Sequence, residues 1–335
     1  MKALVRDVVS RAVVASGISM LGRSARARGS LILYGHRISA DDEGYLQGLS
    51  PEWFTAQIAY LTRHYEIISL ADLVTWLEQG RQPPAKTMVL TLDDGFRDNI
   101  DVGLPILERF GVQATIFVVT QSLSDGRLPW SQRLGYAFQH ATTDSLQHVL
   151  LGPEPVPLPD GSTRHRAYVR VKQALASMAR PLRDRIIDDL AGQLGASPPT
   201  NRMMTWEDAR MAIRNGHLIG AHTFSHALLA RVAETEARVE MERSKDDLRE
   251  HLGLDNPHFC FPAGSTTPTL RELARSMGFR STFLPNRHRR LNRPPDVDAF
   301  SMARIGLPNG PAHHLEAELD GPFHALRRLT RRYDP

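Results

Sequence analysis

Two short stretches of this chain hold residues that could do chemistry together. In Thr91-Leu92-Asp93-Asp94-Gly95-Phe96, adjacent carboxylates close an apolar run; like charges this close repel and need a cation or a proton to be tolerated. Capping of a following helix would explain the same pair. In His222-Thr223-Phe224-Ser225-His226, histidines four apart share a face if the segment is helical, and both imidazoles can then reach one ion about 2.0–2.1 Å away. The spacing alone is a weak signal among 14 histidines, but, like the aspartate pair, it directly follows a buried-strand pattern. Two histidines and one carboxylate leave coordination positions open, which describes a catalytic rather than a structural metal site.

Such residues need a rigid frame, and the hydrophobic pattern supplies one. Leu31–Tyr34, Thr87–Leu92, Ala114–Val119 and His217–Ala221 read as buried strands, with shorter ones at Phe259–Pro262 and from Ser281 to Phe283. Between them, helical periodicity marks Pro51–His64 (capped by Ser50), Leu70–Gly80, Pro105–Phe110, Trp206–Asn215, Leu228–Leu252 and Thr269–Met277. A further helix is expected over Leu4–Leu21. Alternating strand and helix implies a parallel sheet with helical crossovers, whose chemistry sits at the carboxyl ends of the strands. The aspartate pair and His36 both follow such ends.

The rhythm lapses between Ser122 and Arg202. There, a tract rich in proline and glycine from Gly152 to Asp160 is flanked by expected helices at Ser131–Leu150 and Tyr168–Leu194. This reads as an insertion that covers one face of the domain and shapes a cleft, or as a dimerisation element. The resulting division is an N-terminal helical extension (1–30), a catalytic domain (31–121 and 203–310), the insertion (122–202) and a basic tail (311–335). The sequence leaves the oligomeric state open.

Composition narrows the function. The 335 residues are 41% hydrophobic, enough for at least one full core, and the formal charge is only +4. Arginines gather at both ends (Arg23, Arg26 and Arg28; Arg327, Arg328, Arg331 and Arg332). They are solvated helix faces or a surface for anionic lipid, nucleotide-sugar or polyanion. Aromatics are not interleaved with them, so no nucleic-acid partner is expected. The single cysteine, Cys260, rules out an intrachain disulfide and a cysteine-based zinc site. No signal-peptide pattern or membrane-spanning run is recognisable. The expectation is residence in the cytoplasm, with room for peripheral attachment to the inner face of a membrane through the amphipathic N-terminus.

Taken in order, Thr91-Leu92-Asp93-Asp94-Gly95, His222-Thr223-Phe224-Ser225-His226 and Phe261-Pro262-Ala263-Gly264 resemble the first three motifs of the polysaccharide deacetylase family. That family is also called the NodB homology domain or carbohydrate esterase family four. The similarity covers roughly Leu31 to Thr120 and Met203 to Leu307. It implies an α/β fold, a distorted (β/α)7 barrel with a helical insertion here. It also implies metal-dependent hydrolysis of the N-acetyl group of an acetamido sugar in a glycan or glycan precursor.

On the resemblance, Asp93 is the general base, Asp94, His222 and His226 hold the metal, and the Ala263 backbone N–H binds the oxyanion. Zinc is the expected ion, with Co2+, Ni2+ or Mn2+ able to serve. The family's third motif usually begins with an arginine that orients the catalytic aspartate. Cys260 stands at that position, and Arg304 is a substitute or simply a core-bordering arginine. No Leu-x-His acid is evident near the C-terminus, where His313 and His314 look like loop or helix-start residues. Leu33-Tyr34-Gly35-His36-Arg37-Ile38 resembles instead the circularly permuted subset, which makes His36 the general acid. Asp98 and Asn99 read as braces of the Asp93 loop. Trp130 and Trp206 are core aromatics or sugar-stacking platforms, Trp130 being the better platform. Two other readings remain: hydrolysis of a different linear or cyclic amide on this fold, and a non-catalytic glycan-binding relative.

Overall fold

The computed structural model describes residues 2–24, 29–40, 48–284, 292–295 and 297–321; of the expected basic tail (311–335), residues 322–335, with all four of its arginines, lie outside them. Two helices, α1 (Lys2–Ala15) and α2 (Ile18–Ser24), precede the first strand. The single helix expected over Leu4–Leu21 is therefore broken. Gly17 adopts a left-handed φ of 75°, the conformation that ends a helix.

The core is parallel. Strand β1 (Ser30–Gly35) leads to α3 (Pro51–His64), β2 (Glu66–Ile67), α4 (Leu70–Glu78) and β3 (Thr87–Asp94). A turn of π-helix (Asn99–Gly103) then runs into α5 (Leu104–Arg109), followed by β4 (Thr115–Val118) and α6 (Thr120–Asp125). Helix α3 starts as its sequence dictates: the Ser50 side chain accepts from Trp53 N and Pro51 occupies the first turn. All eight residues of β3 are buried, as expected of a central parallel strand covered on both faces.

The insertion holds α7 (Trp130–Gln139), a small antiparallel pair of β5 (Ser145–Leu146) and β6 (Val156–Pro157), α8 (Gly161–Leu175) and α9 (Arg180–Gln193). Two expected helices are corrected here. The first stops at Gln139, before Thr142-Thr143-Asp144, residues with low helix propensity. The second splits ahead of Pro181, which cannot continue a helix through its own nitrogen and sits instead in the first turn of α9. A hydrophobic cluster from Trp130 to Ala196 gives the segment a core separate from that of the barrel.

The barrel resumes with α10 (Trp206–Arg214), β7 (Leu218–Ala221), α11 (Glu234–Leu252), α12 (Pro268–Ser276), β8 (Ile305–Gly306) and α13 (Ala312–Leu319). Strand order is β7-β4-β3-β1-β8, with β2 on the free edge at the start of β3. From β7 the pairing continues through single bridges, Ala221 to Phe259 and Phe283 to Met302, with Phe259 N bonded to Ser281 O. Ile305 then returns it to Leu33 of β1. The fold has the parallel sheet with helical crossovers that the strand rhythm implies, in the distorted α/β barrel form that the family resemblance implies. Close approach matters at Gly220, where a Cβ would stand 2.6 Å from the Phe117 ring and 2.9 Å from His258 O.

Candidate active site

The sheet register explains why the motif residues meet. Asp94 pairs with Val118 and Val118 with Ala221, so Asp94 and His222 lie side by side at the carboxyl rim. His226 comes next to them through a turn. The helix supposed for His222–His226 does not form: Thr223 and His226 both take left-handed backbone (φ 65° and 61°) and the segment bends back. Four spacing still brings both imidazoles together, for a different geometric reason.

That strained turn is braced on three sides. Glu240 of α11 accepts from Ser225 N (2.8 Å) and Ser225 Oγ (2.6 Å). Arg183 of α9 donates to Ser225 Oγ (2.9 Å), and Trp130 of α7 donates from Nε1 to His226 O (2.9 Å). Left-handed conformations of bulky residues cost on the order of 1–3 kcal/mol each and persist only where neighbours over-determine them. Burial pushes the Glu240 carboxyl up, though its bonds to Ser225 oppose this.

The donor set suits a metal ion. Nε2 of His222 and of His226 stand 3.3 and 3.2 Å from Asp94 Oδ1, yet that buried oxygen has no hydrogen-bond partner. One ligand atom from each of the three residues lies within 4.8 Å of the others, and all three residues are buried. His222 Nδ1 lies 2.7 Å from Cys260 O; donation to that carbonyl leaves Nε2 its lone pair, the usual outer support of a metal-bound imidazole. Burial pushes His226 towards its neutral form, as a ligand requires. The other Asp94 oxygen, Oδ2, accepts from Gln132 Nε2 (3.0 Å). Asp94 itself takes φ 77°.

Asp93 faces a different partner. Arg304 grips it with two bonds, Nη1 to Oδ1 and Nη2 to Oδ2, each 2.8 Å, and both side chains are buried. Burial alone pushes this carboxyl up; the Arg304 charge and its two bonds outweigh that and hold it below the usual range. The guanidinium lies against Tyr34 and Phe283 (4.6 and 4.7 Å to the ring centroids). Of the two roles open to Arg304, the structure therefore gives it the contact with the aspartate. Cys260 Sγ remains 3.9 Å from Asp93 Oδ2.

His36 follows β1 on the same rim, exposed, with its ring edge-on to Tyr34 at 5.8 Å. Asp98 and Asn99 brace this loop rather than that of Asp93: Asn99 donates to His36 O (2.7 Å), and Asp98 accepts from Arg37 Nε and Ile38 N (2.8 and 3.0 Å). Clefts of about 270 and 550 Å³ flank it, the first along Tyr34, His36 and Leu307, the second along Arg37, Arg97, Asp98 and Arg202. Ala263 is exposed in a short 3-10 turn (Pro262–Gly264) with φ 51°.

Neither tryptophan is a free platform. Trp130 is buried beneath the His226 turn, and Trp206 stacks on His251 while donating to Ser124 Oγ. His313 and His314 lie in the first turn of α13, where both contact Asp7 of α1. Sequence reasoning missed Gln132, Arg183 and Glu240. Only Glu240 left a trace, an acid within the buried stripe Ala237, Met241, Ser244 and Leu248 of α11.

Comparison with known proteins adds independent findings. Residues 80–282 match the family model described as polysaccharide deacetylase. The Bacillus subtilis (strain 168) protein YxkH is 27% identical over 96 residues, a match spanning 27% of this chain and about a third (34%) of that curated relative. Among solved structures, the Streptococcus pyogenes deacetylase PplD in complex with acetate aligns with TM-score 0.56 at 16% identity, covering 87% of this chain and 97% of its own. IcaB from Ammonifex degensii aligns with TM-score 0.57 at 18% identity, covering 88% and 98%. At these identities the two structures speak to the fold.

Proposed function

We propose, for a chain that belongs to the polysaccharide deacetylase family, metal-dependent hydrolysis of the N-acetyl group of an acetamido sugar in a glycan or glycan precursor. The observation that carries this reading is a buried Asp94-His222-His226 set beside a second aspartate held ionised by Arg304. A binding module has no use for a charged base next to open coordination positions.

Asp94, His222 and His226 hold a divalent ion. Zinc is the natural choice for two imidazoles and a carboxylate, and Co2+, Ni2+ or Mn2+ suit the same donors. When bound, the ion supplies Lewis acidity, polarising the acyl oxygen and acidifying water. Asp93, kept anionic and aligned by Arg304, accepts the proton of the attacking water. The backbone N–H of Ala263 donates to the oxyanion that develops on the acyl group. His36, exposed on the rim, protonates the departing amine, without which the C–N bond breaks slowly. The clefts on either side of the His36 loop receive the flanking sugars.

The test is acetate release from N-acetylated oligosaccharides by metal-stripped protein, before and after zinc or cobalt is restored. Asp93→Asn is expected to bind the metal and lose turnover; Asp94→Ala loses both. Metal binding with no release from any acetamido sugar would redirect the proposal to another amide. Full turnover by Asp93→Asn would remove that residue as the base.

A further inference from the structure

The N-terminal helices are amphipathic in the reverse sense of an ordinary surface helix. A helix packed on a soluble domain turns its apolar stripe inwards. Here Ser10 and Ser19 are buried against the body, and Asp7 reaches inwards to His313 and His314. Val5, Val8, Val9, Ile18, Met20 and Leu21 are 39% to 67% exposed. These are six of the ten large apolar side chains exposed among the described residues, gathered within 17 positions. Val5, Val8 and Val9 follow the spacing of a single helical stripe.

The inner side is a built seat, so the outward face has a fixed orientation. Ser19 Oγ donates to Glu316 Oε1 (2.7 Å), and Arg23 reaches Tyr60 (2.9 Å), Glu316 and Asp320. The α2 backbone approaches the end of α13 so closely that a Cβ on Gly22 would lie 2.0 Å from Asp320 O, and one on Gly321 would lie 2.9 Å from the Val13 side chain.

We propose that this outward face docks on an anionic lipid bilayer. Large apolar side chains left exposed together on two successive helices point to an interaction site, and charge selects the occupant. Residues 1–28 carry six basic side chains and one acidic one, Asp7, which is directed to the histidines. With Arg23 engaged internally and Arg11 paired with Asp7 (2.8 Å), Lys2, Arg6, Arg26 and Arg28 flank the apolar stripe in sequence and leave the segment a positive surplus. A second copy seated on the same face would set one positive surplus against another, whereas in an anionic bilayer the headgroups complement the charge and the acyl chains beneath them the apolar stripe. The seat is separate from the Asp93–Asp94 rim and does not depend on the chemistry proposed there.

The full chain is tested by cosedimentation with vesicles of phosphatidylcholine alone or mixed with phosphatidylglycerol, alongside sedimentation velocity without lipid. The expected result is a monomer that binds the phosphatidylglycerol vesicles, more weakly at high salt. In Val8→Glu/Leu21→Glu, binding is expected to fall by more than about tenfold with the melting temperature unchanged. Val5→Ser/Met20→Ser serves as a second, milder disruption should the charged pair fail to fold. Equal binding by these variants would overturn the proposal, as would no binding to anionic vesicles by the wild type. A wild-type dimer dissociated by the same substitutions would assign the face to a second copy instead.

Discussion

Replacing Arg304 by methionine keeps a long, flexible side chain against Tyr34 and Phe283 but removes the charge and both 2.8 Å bonds to Asp93. Two effects follow, and they separate. Asp93, buried and stripped of its partner, is left as an uncompensated charge, and breaking such a pair costs about 3–5 kcal/mol. In a chain of this size that lowers the melting temperature on the order of 10 °C. The second effect is on titration. Arg304 is the main group that overcomes burial at Asp93, so without it burial is opposed only by the smaller pull of His222 and His36 and the carboxyl moves up. In the wild type the depressed carboxyl contributes stability above the ordinary carboxylate range, lost as pH falls through its folded value. In the variant the sign reverses, and stability relative to wild type improves as pH falls and Asp93 takes up its proton. The acid limb of kcat/KM for acetate release must move to higher pH. Urea denaturation at pH 7 and pH 5, together with the pH–rate profile, reads both effects. Adding Asp93→Asn to Arg304→Met should recover part of the stability lost by either single variant, because each single variant leaves one buried charge alone and the double variant leaves none. A loss below about 1 kcal/mol with an unmoved acid limb would refute the assignment of Arg304 as the group that holds Asp93.

Other outcomes follow from single contacts. Gln132→Ala removes the donor to Asp94 Oδ2 and should weaken zinc binding about tenfold, the lower end of the effect of outer-shell partners; competition with a chromogenic chelator measures it. His258, pushed down to about 3 by burial and then by the nearby Arg280 charge, contributes stability that is full above pH 6.5 and lost as pH falls towards 3. Between pH 7 and pH 5 this amounts to roughly 2 kcal/mol, and His258→Leu should flatten the slope of stability against pH by that amount. Gly220→Ala places a Cβ 2.6 Å from the Phe117 ring and 2.9 Å from His258 O; overpacking of this kind costs about 1–3 kcal/mol, readable by thermal denaturation.

The parallel α/β core was legible because strands buried on both faces leave near-continuous apolar runs and because Ser50 and Pro51 set a helix start locally; the barrel came only with the family resemblance. Asp93 and Asp94 drew attention by an electrostatic cost, although capping of a following helix would have explained the pair alone, and the family resemblance separated their roles. What stayed hidden was set by tertiary contact. The pairing of Arg304 with Asp93 spans 211 positions, and nothing local to Arg304 distinguishes it from a surface arginine. The His222–His226 turn read as one face of a helix because four spacing suits either geometry, while the left-handed backbone of Thr223 and His226 is imposed by Glu240, Trp130 and Arg183. Trp130 stood open between core aromatic and sugar platform, favoured as a platform only by its place at the start of the insertion; its burial and its bond to His226 O decide for the core. The break at Gly17 is local, whereas the reversed polarity of α1 depends on its packing against α13, some 300 residues away.

Three side chains of the insertion, Trp130, Gln132 and Arg183, end on the turn and the carboxylate that form the metal set. Although the insertion has its own apolar core, its folding equilibrium is thereby coupled to occupancy of the ion. By thermodynamic reciprocity, whatever the insertion adds to ion affinity the ion returns as resistance of the insertion to local opening. Chelation should accordingly speed amide hydrogen exchange in α7 and α9 well beyond that in β1 or β3. The insertion is thus a reporter of loading for the site it braces.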